Sequence, residues 1–196
     1  MDLLNRVKDA LLTGVSARAV QVADDEKELL ESFQLLTAKP VLYVCNVDEK
    51  SAKNGNAYVE RVKEVVKNEE AEIIVLAVAT EADITELESY EERQMFLEDI
   101  GLDEPGASKL IRAAYHLLNL QTYFTAGVKE VRAWTIHKGD TAPQAAGVIH
   151  TDFEKGFIRA EVIAYDDFIK EAGKMRVEGK EYIVKDGDIM HFRFNV

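Results

Sequence analysis

A polar turn at residues 46–49 carries the side chains in this sequence whose types and spacing best suit ligand recognition. It consists of Asn46-Val47-Asp48-Glu49 and follows a continuous apolar run, residues 41–45. An asparagine amide offers a donor and an acceptor side by side, so it can form two hydrogen bonds with N6 and N7 of adenine. The same string also fits an asparagine that only caps the backbone after a strand. The local pattern alone leaves both interpretations open.

The apolar runs around this turn predict the elements that position it. Residues 41–45 and 73–79 are apolar without alternation, which is typical of strands buried on both faces. A helix is expected between them, over residues 56–68. Strand, helix and strand form a βαβ unit, in which the strands are parallel and ligands bind beyond their carboxyl ends. We expect Asn46 and Thr80 at those two ends.

The segments that flank this unit are predicted to be mainly helical. Residues 2–13 and 26–36 each place apolar side chains on one stripe, and Asp25 with Glu28 has the spacing of a capping box for the second helix. Residues 81–118 are helical and acidic. A helix with one apolar stripe needs a partner surface, which can lie outside this chain.

From residue 119 onward the pattern changes to short strands. Strands are expected over residues 122–125, 131–136, 157–164, 182–184 and 189–194, with a short helix from Thr141. Asp186-Gly187 between the last two runs is a hairpin signal. Two strands, a helix and further strands give the order of a ubiquitin-like β-grasp.

The charge distribution limits the partners of this chain. The net charge is −12, which disfavours tight nonspecific binding to phosphate backbones. Residues 1–118 hold 13 basic and 24 acidic side chains, whereas residues 119–196 hold 11 basic and 12 acidic ones. The second part can therefore approach an anionic partner where the first cannot. A solvated acidic surface is the plainer explanation of the charge run.

Cysteine use and hydropathy indicate a cytoplasmic protein. Cys45 is the only cysteine, so no disulfide can form within the chain, and a reducing compartment fits. No apolar run approaches the ~18 residues that a membrane span needs, so no membrane partner is expected.

Two further groups of residues could bind ligands. His150 and Asp152 have the spacing of a metal pair, but zinc sites need three or four ligands, so no metal site is expected. Aromatic residues Tyr123, Phe124 and Trp134 could stack on RNA bases beside the cation of Lys138. As the core or rim of a β-grasp the same rings need no ligand, and that interpretation is favoured.

Longer strings then carry a resemblance to a known family. They are residues 119–135, 142–147, 150–160 and 185–188. From about residue 39 to the end, the chain resembles the Obg-like ATPase family of the YchF type. The resemblance implies an α/β fold: a partial P-loop NTPase with a parallel sheet and a helical arm segment, followed by a β-grasp (TGS) domain. It implies an arm segment over residues 1–38, the C-terminal part of the nucleotide-binding (G) domain over 39–118, and the TGS domain over 119–196.

The resemblance also implies a role in base recognition for the turn at residues 46–49. In P-loop GTPases this place holds Asn-Lys-x-Asp, in which the aspartate accepts hydrogen bonds from guanine. Here Val47 replaces the lysine and Glu49 the aspartate, and a longer carboxylate shifts the base. Base recognition by Asn46, Val47 and Glu49 is therefore expected to accept ATP, with GTP as a second nucleotide. The backbone of Ala79 and Thr80 is expected beside the base.

The phosphate-binding half is missing from the sequence. No Gly-x-x-x-x-Gly-Lys-Ser/Thr string occurs, so the groups that hold phosphates and Mg²⁺ are absent. ATP and Mg²⁺ are expected in a longer protein that has the N-terminal half of the G domain. This chain alone should neither hydrolyse nucleotide nor bind it tightly, and no catalytic residue is assigned.

Partners and rival functions follow from the same resemblance. The ribosome or RNA is expected to bind through the TGS domain. A rival hypothesis is a non-enzymatic adaptor that binds RNA, ribosome or protein through that domain and never holds nucleotide. A third is a folding fragment with no role of its own.

Overall fold

The computed structural model describes residues 2–69, 71–171 and 173–195. It separates into two compact units, Met1–Leu118 and Asn119–Val196. The expected α/β fold class is confirmed, with a parallel sheet in the first unit and a mixed β-grasp sheet in the second. The names given to residues 1–38, 39–118 and 119–196 as arm, G-domain part and TGS domain stay predictions.

The first unit contains a two-stranded parallel sheet surrounded by helices. The helices in the described part of this unit are α1 Asp2–Leu12, α2 Lys27–Ser32, α3 Ala57–Val66, α4 Val78–Glu86, α5 Tyr90–Asp99 and α6 Gly106–Leu117. The strands are β1 Leu42–Asn46 and β2 Glu72–Leu76, which pair in parallel from Leu42 opposite Glu72 to Asn46 opposite Leu76.

Helix α3 connects the two strands, as the apolar pattern predicts. Asn56 caps it, because its side-chain oxygen accepts from the backbone N–H groups of Tyr58 and Val59 at 3.0 and 3.2 Å. Val59 and Val66 are buried on its inner face. The βαβ unit is therefore present.

The second strand is shorter than predicted. It ends at Leu76, and α4 begins at Val78, so Ala79 and Thr80 lie in a helix and not in or just beyond a strand. A short apolar run does not distinguish a buried strand from a buried helix by its periodicity. The alanines of this segment favour a helix, and the side chain of Asn46 caps its first turn.

In the N-terminal segment, α1 lies where the pattern predicts a helix, but the second helix departs from the prediction. Leu3 and Val7 of α1 pack with Ala17 in a small core. Helix α2 ends at Ser32 instead of residue 36, because Gln34 takes a left-handed backbone with φ of 51°. The predicted capping box of Asp25 and Glu28 is replaced by Glu26, which accepts from the N–H of Ala23 at 3.0 Å.

The second unit contains a five-stranded sheet. Its strands are β3 Leu120–Ala126, β4 Val131–His137, β5 Phe157–Ile163, β6 Arg176–Glu178 and β7 Ile189–Phe194. The order is β4-β3-β7-β5-β6, in which β3 and β7 are parallel and the other pairs antiparallel. Helices in the described part are α7 Ala142–Ile149, α8 Thr151–Lys155 and α9 Tyr165–Ile169. This arrangement is a β-grasp, and α7 supplies three buried alanines to its core.

The predicted hairpin around Asp186-Gly187 is wrong. Residues 182–184 form only an isolated bridge, between Ile183 and Thr141, and β7 instead pairs in parallel with β3. The buried carboxylate of Asp188 explains the sharp turn, because it accepts from Tyr182 Oη at 2.8 Å and from the Lys185 N–H at 2.9 Å. Burial, and then the bond to Asp188, raise the pKa of Tyr182 to about 12.

Candidate purine-recognition site and docking surface

The candidate site lies at the carboxyl edge of the parallel sheet. Asn46 is the last residue of β1 and pairs with Leu76, the last residue of β2. The turn after β1 is fixed by the N–H of Val47, which donates to the carbonyl of Leu76 at 2.9 Å. Ligands of parallel α/β sheets bind beyond this edge.

The amide of Asn46 has a defined orientation. Its Oδ1 accepts from the N–H of Val78 at 3.1 Å, in the first turn of α4. An N–H group can donate only to the amide oxygen, so the NH₂ group of Asn46 occupies the other side. Asn46 is exposed, and none of the described residues accepts a hydrogen bond from this NH₂ group. The side chain therefore caps a helix with one end and presents a donor with the other.

Asp48 has a role that the sequence analysis did not assign. Its side chain accepts from the N–H of Ser51 at 2.9 Å and caps a 3₁₀ turn over Glu49–Ser51. The hydrogen bonds from Ser51 lower the pKa of Asp48. Aspartate is a preferred capping residue at the start of a helical turn, so this role could have been found in the sequence.

Glu49 begins that 3₁₀ turn and is exposed. No ion pair or hydrogen bond engages its carboxylate within the described part of the chain. It is thus a free acceptor three residues after Asn46.

Ala79 and Thr80 occupy different environments. Ala79 is exposed near the start of α4, beside the residue that Asn46 caps. Thr80 is buried with 3% of its surface exposed, so its side chain does not face solvent at the sheet edge. The structure thus brings Asn46, Val47 and the start of α4 together and removes the Thr80 side chain from the candidate surface.

A partly buried hydrogen bond holds the start of α6 against α4 in the first unit. Glu81 of α4 accepts from the N–H of Gly106 at 2.7 Å and from that of Ala107 at 3.4 Å, at the start of α6. A Cβ atom at Gly106 would lie 2.5 Å from Leu76 Cδ2. Sequence reasoning missed this cap because Glu81 and Gly106 are far apart in the chain.

A second missed cluster joins the N-terminal segment to the sheet. Glu69 accepts from Arg18 Nε at 2.9 Å and from Tyr43 Oη at 3.2 Å. Arg18 also donates to the carbonyl of Thr37 at 3.1 Å. Burial is the largest single effect on the pKa of Arg18 and lowers it, but Glu69 and Tyr43 together outweigh burial and raise the pKa above its usual value.

The aromatic residues of the candidate docking surface divide between core and rim. Tyr123 is fully buried, and its hydroxyl donates to the carbonyl of Ala145 at 2.9 Å. Burial raises the pKa of Tyr123. Tyr123 therefore belongs to the core and cannot stack on a base. Phe124 is half-buried, with its ring centroid 6.4 Å from that of Tyr165.

Trp134 is half-buried against the core of the second unit, whereas Lys138 remains at the surface. Trp134 Nε1 donates to Thr125 Oγ1 at 2.9 Å, and the guanidinium of Arg132 lies 4.2 Å from the ring centroid. One face of the indole is thus already covered by a cation. Lys138 is exposed just beyond the end of β4.

His150 has a local structural role. Its Nδ1 accepts from the N–H of Asp152 at 3.2 Å and caps α8. Across the residues that the structure describes, no group of three or more His, Cys, Asp or Glu side chains could hold a metal ion. Nor is any described helix long and apolar enough to cross a membrane.

Comparisons with known proteins agree with this architecture. The family model YchF-GTPase_C, described as a protein of unknown function (DUF933), matches residues 120–195. A ribosome-binding ATPase YchF of Haemophilus ducreyi is 54% identical over the whole chain, and that of Bacillus subtilis is 50% identical. Obg-like ATPase 1 of Rattus norvegicus is 48% identical over 88% of the chain and 46% of its own length.

A solved structure supports the same relationship. The YchF GTPase of Schizosaccharomyces pombe superposes with a TM-score of 0.84 at 36% identity, over 98% of this chain and 53% of that one. The chain spans about half the length of the curated relatives that it matches, 56% for the two bacterial ones. The chain belongs to the Obg-like ATPase family of the YchF type.

Proposed function

We propose that this chain is the base-recognising and partner-docking part of a ribosome-associated ATPase of this family. The observation that carries the proposal is the orientation of Asn46. Its oxygen is held by the N–H of Val78 at 3.1 Å, and its NH₂ group points away from that bond. A purine N7 is an acceptor that this donor can bind.

Adenine is the base that the turn suits best. Asn46 Oδ1 keeps a second lone pair, so it can accept from the adenine N6 amino group while the NH₂ group donates to N7. Val47 lacks the charge of the lysine in a guanine-specific turn. The side chain of Glu49 is longer than the aspartate of such a turn, so its carboxylate does not occupy the same place. GTP is therefore the weaker ligand.

Phosphates and Mg²⁺ would be held by residues outside this sequence. The sequence contains no phosphate-binding glycine loop, and phosphoryl transfer depends on positioning and electrostatic stabilisation of the phosphates. Hydrolysis thus belongs to the longer protein. Binding of ATP by this chain should be weak, because only the base is recognised.

Titration of the ¹⁵N-labelled chain with ATP and with GTP tests this proposal. ATP should shift the side-chain amide signals of Asn46 and the backbone signal of Val78 at lower concentrations than GTP does. A base-pairing contact of this type contributes about 1–3 kcal/mol, so a dissociation constant near or above the millimolar range is expected. If ATP does not shift these signals, nucleotide recognition by the chain is excluded and the adaptor hypothesis is favoured.

Docking through the second unit is the complementary part of the proposal. The bacterial relatives are named ribosome-binding, and this unit carries nearly balanced charge with exposed Lys138 beside β4. Co-sedimentation of the chain with ribosomes at low salt tests this role. Binding should decrease as salt rises and should be weaker for Lys138→Glu. If the chain stays in the supernatant at low salt, this role is refuted.

A further inference from the structure

The sheet of the second unit ends in a strand with an open outer edge. β4 stands first in the order β4-β3-β7-β5-β6 and spans seven residues, against three for β6 at the opposite edge. No segment in the described part of the chain pairs with the outer side of β4. An unpaired strand of this length is a template for another strand.

The ladder between β3 and β4 shows which backbone groups face inward. Gly127 donates to the carbonyl of Glu130 at 2.9 Å, and Lys138 donates to the carbonyl of Asn119 at 2.8 Å. Bonded and non-bonded pairs alternate along an antiparallel ladder. The even-numbered residues of β4 are therefore the ones that bind β3.

The odd-numbered residues of β4 direct their backbone groups outward. Val131 and Ala133 are both exposed, and their N–H and C=O groups point away from β3. At the other end of the strand, the N–H of His137 is already bound to Asp140 Oδ2 at 2.9 Å. The accessible part of the edge is thus centred on Val131 and Ala133.

Basic side chains flank this edge. Lys129, Arg132 and Lys138 lie on β4 or within two residues of it, against the carboxylates of Glu130 and of Asp140, which binds the His137 N–H. Arg132 is held over Trp134, 4.2 Å from the ring centroid. Three cations and two anions at this edge contrast with the net charge of −12 of the chain. The edge therefore attracts an acidic partner in an otherwise acidic protein.

We propose that the outer edge of β4 binds an acidic, extended peptide segment by strand addition. Backbone groups of Val131 and Ala133 supply the main-chain hydrogen bonds, and Lys129, Arg132 and Lys138 select carboxylates. The sheet gains a sixth strand. The inference names a partner class for the docking role proposed for the second unit and rests on that role, but it does not depend on nucleotide recognition.

Two other occupants fit the edge less well. A second copy of β4 would bring three cations from each chain to one interface, where like charges repel. RNA would need accessible rings for stacking, but Tyr123 is buried and Trp134 is covered on one face by Arg132. Phosphates also make no use of outward-facing carbonyl groups.

Trp134 provides a direct reporter of binding. It is the only tryptophan in the chain and lies on β4. The chain is titrated with a capped eight-residue peptide of alternating Glu and Val, and the fluorescence of Trp134 is followed. A peptide with prolines in place of the two central valines is the control, because proline cannot extend a strand ladder. The alternating peptide should bind saturably and the proline peptide should not.

Two variants separate the backbone edge from its charge. Ala133→Pro removes one outward N–H at an edge position that tolerates proline. The amide NMR spectrum of this variant shows whether it keeps the fold. This substitution should weaken peptide binding by about tenfold or more. The double variant Lys129→Glu, Lys138→Glu keeps the backbone edge. It should bind the Glu–Val peptide about tenfold more weakly than the unmodified chain does, and it should bind a Lys–Val peptide more tightly.

Several results would overturn the inference. The first is that folded Ala133→Pro binds the Glu–Val peptide as tightly as the unmodified chain does. The second is that the proline peptide, or an oligonucleotide of equal charge, binds as tightly as the Glu–Val peptide. The third is that the chain self-associates and Ala133→Pro abolishes this self-association. Loss of peptide binding with intact ribosome co-sedimentation overturns this inference alone. Loss of co-sedimentation with intact peptide binding removes only the ribosome as the partner.

Discussion

At the residue scale, one side chain combines the two roles that the sequence left as alternatives. The oxygen of Asn46 caps α4 through Val78, as a structural asparagine would. The NH₂ group of the same amide remains exposed. An amide has separate donor and acceptor ends, so capping does not exclude base recognition and in fact orients the donor.

The turn after Asn46 should be convertible toward guanine. Val47→Lys with Glu49→Asp restores the guanine-specific string and should lower the ratio of the GTP to the ATP dissociation constant. A gain of about 1–3 kcal/mol for guanine is expected, because the shorter carboxylate can accept from guanine N1 and N2. Dissociation constants from amide shifts give this ratio.

Val47→Lys alone is the matched control for that experiment. The added cation attracts both triphosphates equally, so affinity should rise while the ratio stays constant. If the double variant leaves the ratio at its original value, the proposed role of Glu49 is refuted.

At the element scale, the position of α6 depends on a glycine that has no room for a side chain. Gly106 donates to Glu81 at 2.7 Å, and a Cβ atom would lie within 2.5 Å of Leu76 Cδ2. Leu76 is also the last residue of β2 and the partner of Asn46. The helix is therefore seated directly behind the candidate site.

Gly106→Ala should destabilise the chain. The overlap with Leu76 forces a shift of packed atoms, and overpacking of this kind costs about 1–3 kcal/mol of unfolding free energy. Urea unfolding followed by circular dichroism measures the change. Gly179→Ala is the control, because no atom lies within 4 Å of its added Cβ, and its effect should stay within about 0.5 kcal/mol. Equal stability of the two variants would show that α6 is not seated by this contact.

Elements with strong periodic patterns could be predicted from the sequence. Helix α3 and the strands β1 and β7 lie within two residues of the bounds that the apolar pattern predicts, although Val65 of α3 is exposed. Side-chain hydrogen bonds explain the failures. Asn46 caps a helix at Val78, 32 residues away, where the pattern continued a strand, and Asp188 binds Tyr182, six residues away, in a turn where the pattern predicted a hairpin. Such specific side-chain bonds are not part of local propensity, so the pattern does not reveal them.

At the scale of the whole molecule, the two compact units differ in charge and in the role proposed for each. The first holds most of the excess negative charge and the candidate base site, while the second is nearly neutral and carries the open edge of β4. Long strings made the family recognisable from the sequence. The accessible surface was not predictable, because the burial of Tyr123 and the covering of Trp134 by Arg132 arise from tertiary packing.

The central claim is that the Asn46 NH₂ group is the donor that recognises the base. Asn46→Asp tests it most directly, because the carboxylate keeps an oxygen for the Val78 N–H and replaces the NH₂ donor by a charged acceptor. Adenosine is the ligand of choice, since it carries no phosphates for the new carboxylate to repel. Asn46→Ala is the reference that loses both functions, at a cost of about 0.5–2 kcal/mol in stability.

Saturation-transfer NMR with adenosine, combined with thermal unfolding of each variant, is the decisive measurement. The account predicts that Asn46→Asp unfolds near the temperature of the unmodified chain but binds adenosine about tenfold more weakly. Undiminished adenosine binding by Asn46→Asp would contradict it.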